Sequence, residues 1–277
     1  MVKLSGKFRH LVKSIVPPVL EQSIKNLVTY LNLRKERFEY IPEGWNYRRK
    51  STDRNMRSVY ESILQYRISQ WPYFVNTFKS KGPFGKDPVD HNTVMTFAYA
   101  LMIASRGKTK IKMLDWGGAL GHYYLLSRSI LPDVEIKYVC KELSFLCEHG
   151  RKLLPDVEFY DNDNYLNYTY DFSLFSGSLQ YVEDWKKVFS DVRKATDGYI
   201  FVTILPVVMN SSSFVVLERG YSGEFLEWIF NKQEFLRYAQ EIGLDLVQEF
   251  LISYKVYAHR AQEPFDYRGF LFRTKSI

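Results

Sequence analysis

The sequence predicts an α/β protein whose core is a seven-stranded, mostly parallel sheet with helices on both faces. From Ile111 onward, short apolar segments alternate with segments of helical periodicity, which is the pattern of a doubly wound sheet. The last two apolar segments are separated by only about ten residues, which is too short for a helical crossover and favours a C-terminal antiparallel hairpin. Apolar residues at helical spacing ahead of this part predict a helical N-terminal region.

The parallel part of the sheet is predicted from five apolar segments and the helices between them. The segments are rich in β-branched and aromatic residues, whereas the intervening stretches carry apolar residues three to four positions apart. The predicted strands are Lys112–Asp115, Ile136–Glu142, Val157–Asp161, Phe172–Ser176 and Tyr199–Leu205, and the predicted helices are Tyr123–Ile130, Leu143–Lys152 and Trp185–Ala195.

The chain is predicted to leave the sheet after the fifth strand and to return as the hairpin. A loop rich in Ser and Asn runs from Met209 to Ser213, and an aromatic helix is predicted near Phe225–Phe230. Asn231–Glu234 has the residues of a capping box and predicts a helix that runs to Gly243. The two closing strands are predicted at Leu244–Val256 and Tyr267–Thr274.

Three parts are predicted along the chain: a basic segment (1–37), a helical and irregular cap region (38–89) and the α/β domain (90–277). Residues 1–37 hold eight Lys or Arg and two Glu, which gives +6 of the total net charge of +7. Their apolar residues follow helical spacing interrupted by Pro17 and Pro18. We expect this segment either to lie on an anionic membrane surface or to pack its apolar stripe on the domain.

Two helices are predicted between the basic segment and the first strand. The first runs from Asn55 to Trp71. The second begins with Asp90 or Asn92 as its N-cap and stops at Gly107, because these residue types favour the two ends of a helix.

Composition and cysteine content exclude several classes of protein. The 277 residues are 46% hydrophobic and 17% aromatic, which is typical of a folded domain and not of a disordered chain. Two cysteines and five dispersed histidines predict neither a disulfide framework nor a metal site. No stretch approaches the ~20 apolar residues of a membrane span, and no signal-peptide core is present. A cytoplasmic location is expected, at the inner face of the membrane if the basic segment binds lipid.

A glycine-rich segment, "MLDWGGALGHYY" from Met113 to Tyr124, marks the end of the first predicted parallel strand. A phosphate-binding loop is excluded because no Lys follows Gly121. A dinucleotide-binding turn that starts at Gly117 would need glycines where Ala119 and His122 stand. Both common nucleotide-binding patterns are therefore disfavoured.

The pattern that remains is Asp/Glu-x-Gly-x-Gly-x-Gly, which suits S-adenosylmethionine (SAM). It begins at Asp115 and departs only at Ala119, where a methyl group is tolerable if φ is negative. A strand-end carboxylate accepts the ammonium of SAM, and backbone N–H groups of the turn bind its carboxylate. Glu142 is expected to accept both ribose hydroxyls. The expected cofactor-binding residues are Asp115, Gly117, Gly118, Gly121, Glu142, Asp161, Ser176, Gly177 and Leu179.

The segments "LDWGGALGHYY" and "YDFSLFSGSLQYVEDW", together with Glu142 and the closing strands, resemble class I SAM-dependent methyltransferases. The resemblance covers roughly Asp90 to Thr274. The combination of "LDWGGALG", "SGSLQYVEDW" and "WIFNKQEFL" further resembles a family of bacterial methyltransferases associated with cell-surface polysaccharide biosynthesis. This resemblance implies a Rossmann-like fold, SAM as cofactor and O-methylation of a sugar, glycan or glycan precursor.

Methyl transfer to a hydroxyl requires alignment of the reacting atoms and a base, most often His or a carboxylate. His122 follows the glycine turn, and His91 lies at the start of the helix that is expected to cover the cofactor. These two are the candidate catalytic residues, and a capping or packing role is the alternative for each. Further candidates for the acceptor site are Tyr123, Tyr124, Gln180 and Tyr181, with Glu218 and Glu224 as additional bases.

Two other functions stay open at this point. A nucleic-acid-binding module, or an RNA methyltransferase, would use the basic segment, but the charge is confined to one end and no nucleic-acid signature is present. A degenerate methyltransferase fold used only for binding is disfavoured by Asp115 and Glu142. The expected partners are therefore a small-molecule or glycan acceptor and, through residues 1–37, a membrane surface.

Overall fold

The computed structural model describes residues 37–47, 54–80, 87–220 and 223–275, which form an α/β fold with a mixed sheet. These residues contain ten strands and six α-helices. The strands are β1 (Phe38–Ile41), β2 (Lys110–Trp116), β3 (Glu135–Lys141), β4 (Glu158–Tyr160), β5 (Tyr170–Ser176), β6 (Thr196–Val208), β7 (Phe214–Gly220), β8 (Gly223–Asn231), β9 (Leu244–Val256) and β10 (Phe265–Thr274). The helices are α1 (Arg54–Ser80), α2 (Pro88–Ala104), α3 (His122–Ile130), α4 (Ser144–Leu153), α5 (Trp185–Lys194) and α6 (Lys232–Glu241).

The parallel part of the sheet has β2 at its centre. β2 pairs in parallel with β3 and β5, β3 pairs with β4, and β5 pairs with β6. β10 lies antiparallel to β6, and β9 lies antiparallel to β10. The chain therefore adds β3 and β4 on one side of β2 and then β5 and β6 on the other side, so the order of the strands reverses between β2 and β5. The carboxyl ends of two such strands form the crevice in which open α/β sheets bind ligands.

The predicted α/β class is confirmed, but within the part of the chain that the structure describes the sheet has ten strands and not seven. Three strands extend it beyond the end of β6: β1 pairs antiparallel with β7, β7 pairs antiparallel with β8, and the end of β8 pairs with Val207 and Val208. The predicted aromatic helix near Phe225–Phe230 is wrong, because these residues form β8. Aromatic and β-branched residues suit both a buried helix and a strand, and the pairing with β7 decides between them.

Helix α2 begins earlier than the sequence predicted. Asp87 is its N-cap, and the Asp87 carboxylate accepts two backbone N–H groups of the first turn, each at 2.9 Å. The predicted caps, Asp90 and Asn92, lie inside the helix. Pro88 explains the difference, because its fixed φ and missing N–H suit the first helical position.

Helix α1 extends beyond the predicted Asn55–Trp71 helix and lies near the carboxyl ends of the central strands. It contacts α3 and α4, both of which begin at that edge of the sheet. Two stacked ring pairs make these contacts: Phe74 with His122 at 5.0 Å and Tyr60 with Phe145 at 4.9 Å between ring centroids. Helix α1 therefore covers the edge that carries the glycine turn.

Apolar side chains cover both faces of the parallel sheet. On one face, α5 and α6 meet through Phe189 and Phe235, whose stacked rings lie 5.5 Å apart. On the other face, α2 and α3 meet through Phe97 and Tyr123, whose ring centroids are 4.7 Å apart. Asp115 lies on this second face, among Tyr123 and Tyr138, so the candidate site is built against the second core.

The predicted helices of the basic segment lie outside the described residues, since the description begins at Arg37. In the predicted cap region, β1 joins the sheet through β7, while α1 and the start of α2 lie over its edge. Among the helices that the structure describes, none has both the length and the apolar character required to cross a membrane.

Candidate active site

The glycine turn after β2 has a backbone that few residues other than glycine adopt. Gly117 and Gly121 have φ values of +76° and +83°, in the left-handed region. A Cβ atom on Gly118 would lie 2.4 Å from Oδ2 of Asp115, so that carboxylate can approach only because Gly118 has no side chain. A Cβ atom on Gly121 would lie 2.9 Å from the side chain of Leu154. The three glycines are thus required by the path of the turn itself.

Ala119 contradicts the expectation that its φ is negative. Its φ is +52°, and its side chain is 4% exposed. An L-residue in the left-handed region costs roughly 1–2 kcal/mol, because its Cβ approaches the next carbonyl oxygen. Ala119 therefore stores strain at the position where the SAM-binding pattern has glycine.

Asp115 is completely buried beneath the glycine turn. The Tyr138 hydroxyl donates a hydrogen bond to its Oδ2, while Oδ1 has no hydrogen-bond partner among the described residues. Burial raises the pKa of Asp115 to about 7, against the opposing effect of the Tyr138 hydrogen bond, and Glu142 adds to the increase. Asp115 is thus a carboxyl group with a pKa near neutral pH and one oxygen that has no hydrogen-bond partner among the described residues.

Glu142 follows β3 and binds the glycine turn from the side. Its Oε2 accepts the backbone N–H of Ala119 at 2.9 Å, and its Oε1 accepts that of Leu143 at 2.8 Å. Burial raises its pKa, although these two N–H groups favour the charged form. The carboxylates of Asp115 and Glu142 therefore meet the same turn from two neighbouring strands.

The turn after β5 lies directly against the glycine turn. A Cβ atom on Gly117 would lie 2.4 Å from Cβ of Ser178, whose hydroxyl donates to the Trp116 carbonyl at 2.7 Å. Ser176 shares a hydrogen bond of 2.7 Å with the hydroxyl of Tyr123. Gly177 has a φ of +59°. The carboxyl ends of β2 and β5 are thereby joined by polar contacts.

A cavity of about 550 Å³ extends from these two turns to the extension formed by β1, β7 and β8. Helix α1 and the first turns of α2 contribute to its walls. Of the predicted cofactor-binding and catalytic residues, those that line it are Gly117, Ser176, Gly177 and His122. Those that do not are Asp115, Gly118, Gly121, Glu142, Asp161, Leu179 and His91.

Three of the predicted residues lie outside the cavity for identifiable reasons. Leu179 is fully buried in the core on the α5–α6 face, where it begins a 3₁₀ turn. Asp161 is exposed after β4, where a hydrogen bond from Ser144 lowers its pKa. His91 is exposed on α2. Of the two candidate catalytic histidines, His122 lines the cavity and His91 does not.

His122 begins α3 at the cavity wall. Its ring stacks on Phe74 at 5.0 Å and contacts Tyr123 at 4.5 Å. Desolvation lowers its pKa to about 3, and the nearby Arg67 guanidinium adds to the decrease. The imidazole is therefore neutral at physiological pH, which makes it a hydrogen-bonding group and a weak proton acceptor.

The end of the cavity that lies against β7 is polar. Glu218 accepts hydrogen bonds from the Arg37 guanidinium at 2.6 Å and from the Tyr181 hydroxyl at 2.7 Å. Glu227, next to Glu218, is completely buried. Burial, followed by the charge of Glu218, raises the pKa of Glu227 well above its ordinary value. The sequence predicted Gln180, Tyr181 and Glu218 as candidates but missed Glu227, because it lies in the segment that was predicted as a helix.

Among the described residues, no group of three or more His, Cys, Asp or Glu side chains is arranged to hold a metal ion. Asp115, Glu142 and Glu218 instead contact backbone N–H groups, tyrosine hydroxyls and an arginine.

Comparison with known proteins gives fold-level similarities only. No protein-family model and no curated protein sequence matches the chain. Solved structures do match, and the three described here have a TM-score of 0.46 each. A SAM-dependent methyltransferase from Clostridium acetobutylicum is 12% identical, over 65% of this chain and 90% of its own.

Two further matches contain bound S-adenosylhomocysteine (SAH). The 1,6-didemethyltoxoflavin-N1-methyltransferase of Burkholderia thailandensis is 15% identical, over 76% of this chain and 90% of its own, with a TM-score of 0.46. The glycopeptide N-methyltransferase MtfA is 12% identical, over 64% and 89%, with the same TM-score. All three are methyltransferases. At these identities and TM-scores, the function of this chain has to be argued from its own site.

Proposed function

We propose that this protein is a SAM-dependent methyltransferase that methylates a hydroxyl group of a sugar, glycan or glycan precursor. The observation that carries the proposal is the continuity of the cavity. It runs from the glycine turn after β2, past the turn after β5, to a polar end that contains Tyr181 and Glu218. One space can therefore hold a cofactor and an acceptor in contact, which is the main requirement of an in-line methyl transfer.

The residues around the glycine turn fit the amino-acid part of SAM. Asp115 has an unpartnered oxygen beneath the turn, which suits an ammonium group. Gly117 and Ala119 line the cavity, where their backbone can approach a carboxylate closely. Gly118 and Gly121 keep the turn in this conformation.

Residues at the neighbouring strand ends fit the nucleoside part. Glu142 is proposed to accept the ribose hydroxyls and Asp161 to meet the adenine amino group, because Glu142 directly follows β3, which pairs with β2, and Asp161 directly follows β4, the next strand of the sheet. Ser176 and Gly177 leave room beside the turn, and Leu179 supports them from the core. When bound, SAM would supply an electrophilic methyl group on a sulfonium ion.

The chain's own contribution to the reaction is then positioning and exclusion of water. Helix α1 covers the edge of the sheet through Phe74 and Tyr60, so it would shield the reacting groups from solvent. His122, neutral and at the cavity wall, is proposed to contact the reacting groups. His91 is exposed on α2, so a catalytic role for it would require helix α2 to move.

Calorimetric titration with SAM and with SAH tests this proposal. The wild-type protein is expected to bind both, and Asp115→Ala is expected to weaken binding of SAM at least tenfold because the ammonium loses its carboxylate. Asp245→Ala is the matched control, since Asp245 is exposed on β9 and pairs only with Lys275 among the described residues. Absence of SAM binding by the folded wild-type protein would overturn the proposal.

The basic segment, 1–37, is proposed to hold the enzyme near an anionic membrane surface where lipid-linked glycans are assembled, at the cytoplasmic face. The proposal rests on its net charge of +6 and on its apolar residues at helical spacing. Flotation with vesicles of anionic lipid compares the wild-type chain with a variant in which Lys3, Lys7, Arg9 and Lys13 are changed to Glu. Equal flotation of the two proteins would contradict membrane contact.

A further inference from the structure

Gln180, Tyr181 and Glu218 line the polar end of the cavity, and Glu227 is buried beside them; we call these four side chains the acid pocket. In the β7–β8 hairpin, Glu218 lies opposite Phe225 and Val216 lies opposite Glu227. The two glutamates are therefore diagonal neighbours on one face of the hairpin. Gln180 and Tyr181 come from the 3₁₀ turn after β5, so the acid pocket joins the extension to the reaction site.

Two members of the acid pocket are buried polar groups with unused hydrogen-bonding capacity. Glu227 is 0% exposed, and neither of its carboxylate oxygens has a hydrogen-bond partner of normal geometry among the described residues. Gln180 is 2% exposed and lines the cavity, and its Oε1 is likewise unpartnered within the described part. Because buried polar atoms are rarely left unpaired, the unpartnered Oε1 of Gln180 at the cavity indicates a ligand.

The backbone next to Gln180 is strained. Ile204, in the middle of β6, has a φ of +53° and lines the cavity. A β-branched residue in the left-handed region is a conformational outlier, and such outliers cluster at functional sites. The Ile204 carbonyl accepts the side-chain N–H of Gln180 at 3.3 Å. This bond fixes which end of the Gln180 amide is engaged and leaves Oε1 as its free acceptor.

The charges of the acid pocket indicate a neutral ligand. The Arg37 guanidinium, 2.6 Å from Glu218, neutralises that carboxylate, and Tyr181 donates a further hydrogen bond to it. Burial, followed by the charge of Glu218, raises the pKa of Glu227 well above its ordinary value and so favours its uncharged form. The carboxylate that lines the cavity, Glu218, is therefore already paired with a cation and has little charge left for an ammonium group. A hydroxyl group, which donates a hydrogen bond without carrying charge, matches the free acceptor.

We infer that the acid pocket is the acceptor subsite, in which a neutral hydroxyl of a polyol donates a hydrogen bond to Oε1 of Gln180. Gln180 is the residue that contacts the ligand. Glu227 does not line the cavity and acts as a positioning residue, since its carboxyl interacts with the Gln180 side chain. The inference rests on the proposed function, and it narrows the substrate class to neutral polyols and away from amines.

Saturation-transfer NMR, with the full chain and a fixed panel of probes, tests the inference. The panel contains methyl α-D-glucopyranoside, methyl α-D-galactopyranoside and methyl α-D-mannopyranoside, with D-glucosamine as the ammonium counterpart. The wild-type protein is expected to bind at least one methyl glycoside, and to bind it more tightly than glucosamine. Failure to bind any of the glycosides, or a preference for glucosamine, would overturn the inference.

Variants of the two unpartnered residues make the test specific to the acid pocket. Gln180→Leu is expected to weaken binding of the tightest-binding glycoside at least tenfold, while SAH affinity changes less than twofold. Glu227→Leu is expected to weaken glycoside binding as well, and the conservative Glu227→Gln is expected to restore it. The control is Gln248→Leu, at an exposed position on β9.

If Gln180→Leu fails to fold, as judged by its thermal unfolding, Gln180→Asn replaces it, because the shorter amide cannot span the same gap. Wild-type affinity in the folded Gln180 variant would contradict the inference.

The same experiments separate the two proposals. If the wild-type protein binds glycosides through Gln180 but does not bind SAM, then the proposed activity is wrong and the subsite is right. If it binds SAM but Gln180→Leu leaves glycoside binding unchanged, then the subsite is wrong and the activity stands.

Discussion

The backbone N–H of Ala119 donates a hydrogen bond to the Glu142 carboxylate over 2.9 Å. This bond joins the most strained residue of the glycine turn to the strand end that is proposed to hold the ribose. Because Oε1 of the same carboxylate accepts the N–H of Leu143, Glu142 is held in one orientation by two backbone groups. The two halves of the proposed SAM site are thus fixed relative to each other.

Replacement of Glu142 by Gln is expected to weaken cofactor binding more than folding. An amide can accept one N–H but not serve as a charged acceptor for two hydroxyls, and hydrogen bonds to charged groups are each worth about 1.5–3 kcal/mol. The SAH affinity should fall roughly 10- to 100-fold by calorimetry. Glu148→Gln, on the exposed face of α4, is the control and should bind as the wild type does. Unchanged SAH affinity in Glu142→Gln would remove Glu142 from the site.

Replacement of Ala119 by Gly is expected to stabilise the protein. The φ of +52° costs an alanine roughly 1–2 kcal/mol, and the greater backbone entropy of an unfolded glycine returns about 0.5–1 kcal/mol of this. The free energy of unfolding should therefore rise by about 0.5–1 kcal/mol, measured by chemical denaturation. Ala195→Gly is the control, because Ala195 has a φ of −84° and should only lose stability. A loss of stability in Ala119→Gly would contradict this prediction, because it would show that contacts of the methyl group stabilise the fold more than the positive φ destabilises it.

The His122 imidazole is expected to destabilise the fold as the pH is lowered. Its pKa is about 3 in the folded protein and about 6.5 when unfolded, so between these values the unfolded chain binds one more proton. The free energy of unfolding has its full value above pH 6.5 and decreases as the pH drops, by about 2 kcal/mol at pH 5. His122→Phe preserves the stacking on Phe74 and should flatten the stability profile between pH 7 and 4. Parallel profiles for wild type and variant would contradict the shifted pKa.

SAM binding is expected to release a proton from Asp115. The pKa of Asp115 is about 7, so its carboxyl is half protonated at pH 7, and an ammonium beside it favours the charged form. Release of about half a proton at pH 7 makes the binding heat depend on the ionisation heat of the buffer, and affinity should rise with pH between 6 and 8. Calorimetry in phosphate and in Tris measures this. Asp115→Asn should abolish the buffer dependence, and equal heats for the wild-type protein in both buffers would exclude the contact.

Local patterns were enough to predict the parallel sheet and the glycine turn. Strands that are buried on both faces have mostly apolar residues, and this makes the strand–helix alternation after Ile111 visible in the sequence. Gly117 and Gly121 are required by positive φ angles, which depend on few neighbouring residues. For the same reason, Asn231 was correctly predicted as an N-cap, since its side chain accepts the N–H of Glu234 only three residues away.

Contacts between distant segments were not predictable from those patterns. Phe225–Phe230 has aromatic spacing that also suits a helix, and only its pairing with β7 makes it a strand. The φ of Ala119 is positive, and its backbone N–H binds Glu142, 23 residues later, a contact that local patterns do not predict. Likewise, His91 and His122 were equivalent candidates in the sequence, and packing exposed one and placed the other at the cavity wall.

The sequence by itself determined the α/β class, the position of the glycine turn and the charges that flank it, because each of these depends on residues close together in the chain. Only the tertiary structure decided that Asp115 lies buried beneath the turn and that Gln180 and Glu227 share one pocket. Burial and unpaired hydrogen bonds are properties of a residue's surroundings, and the surroundings of Glu227 are built by β6, β7 and the turn after β5.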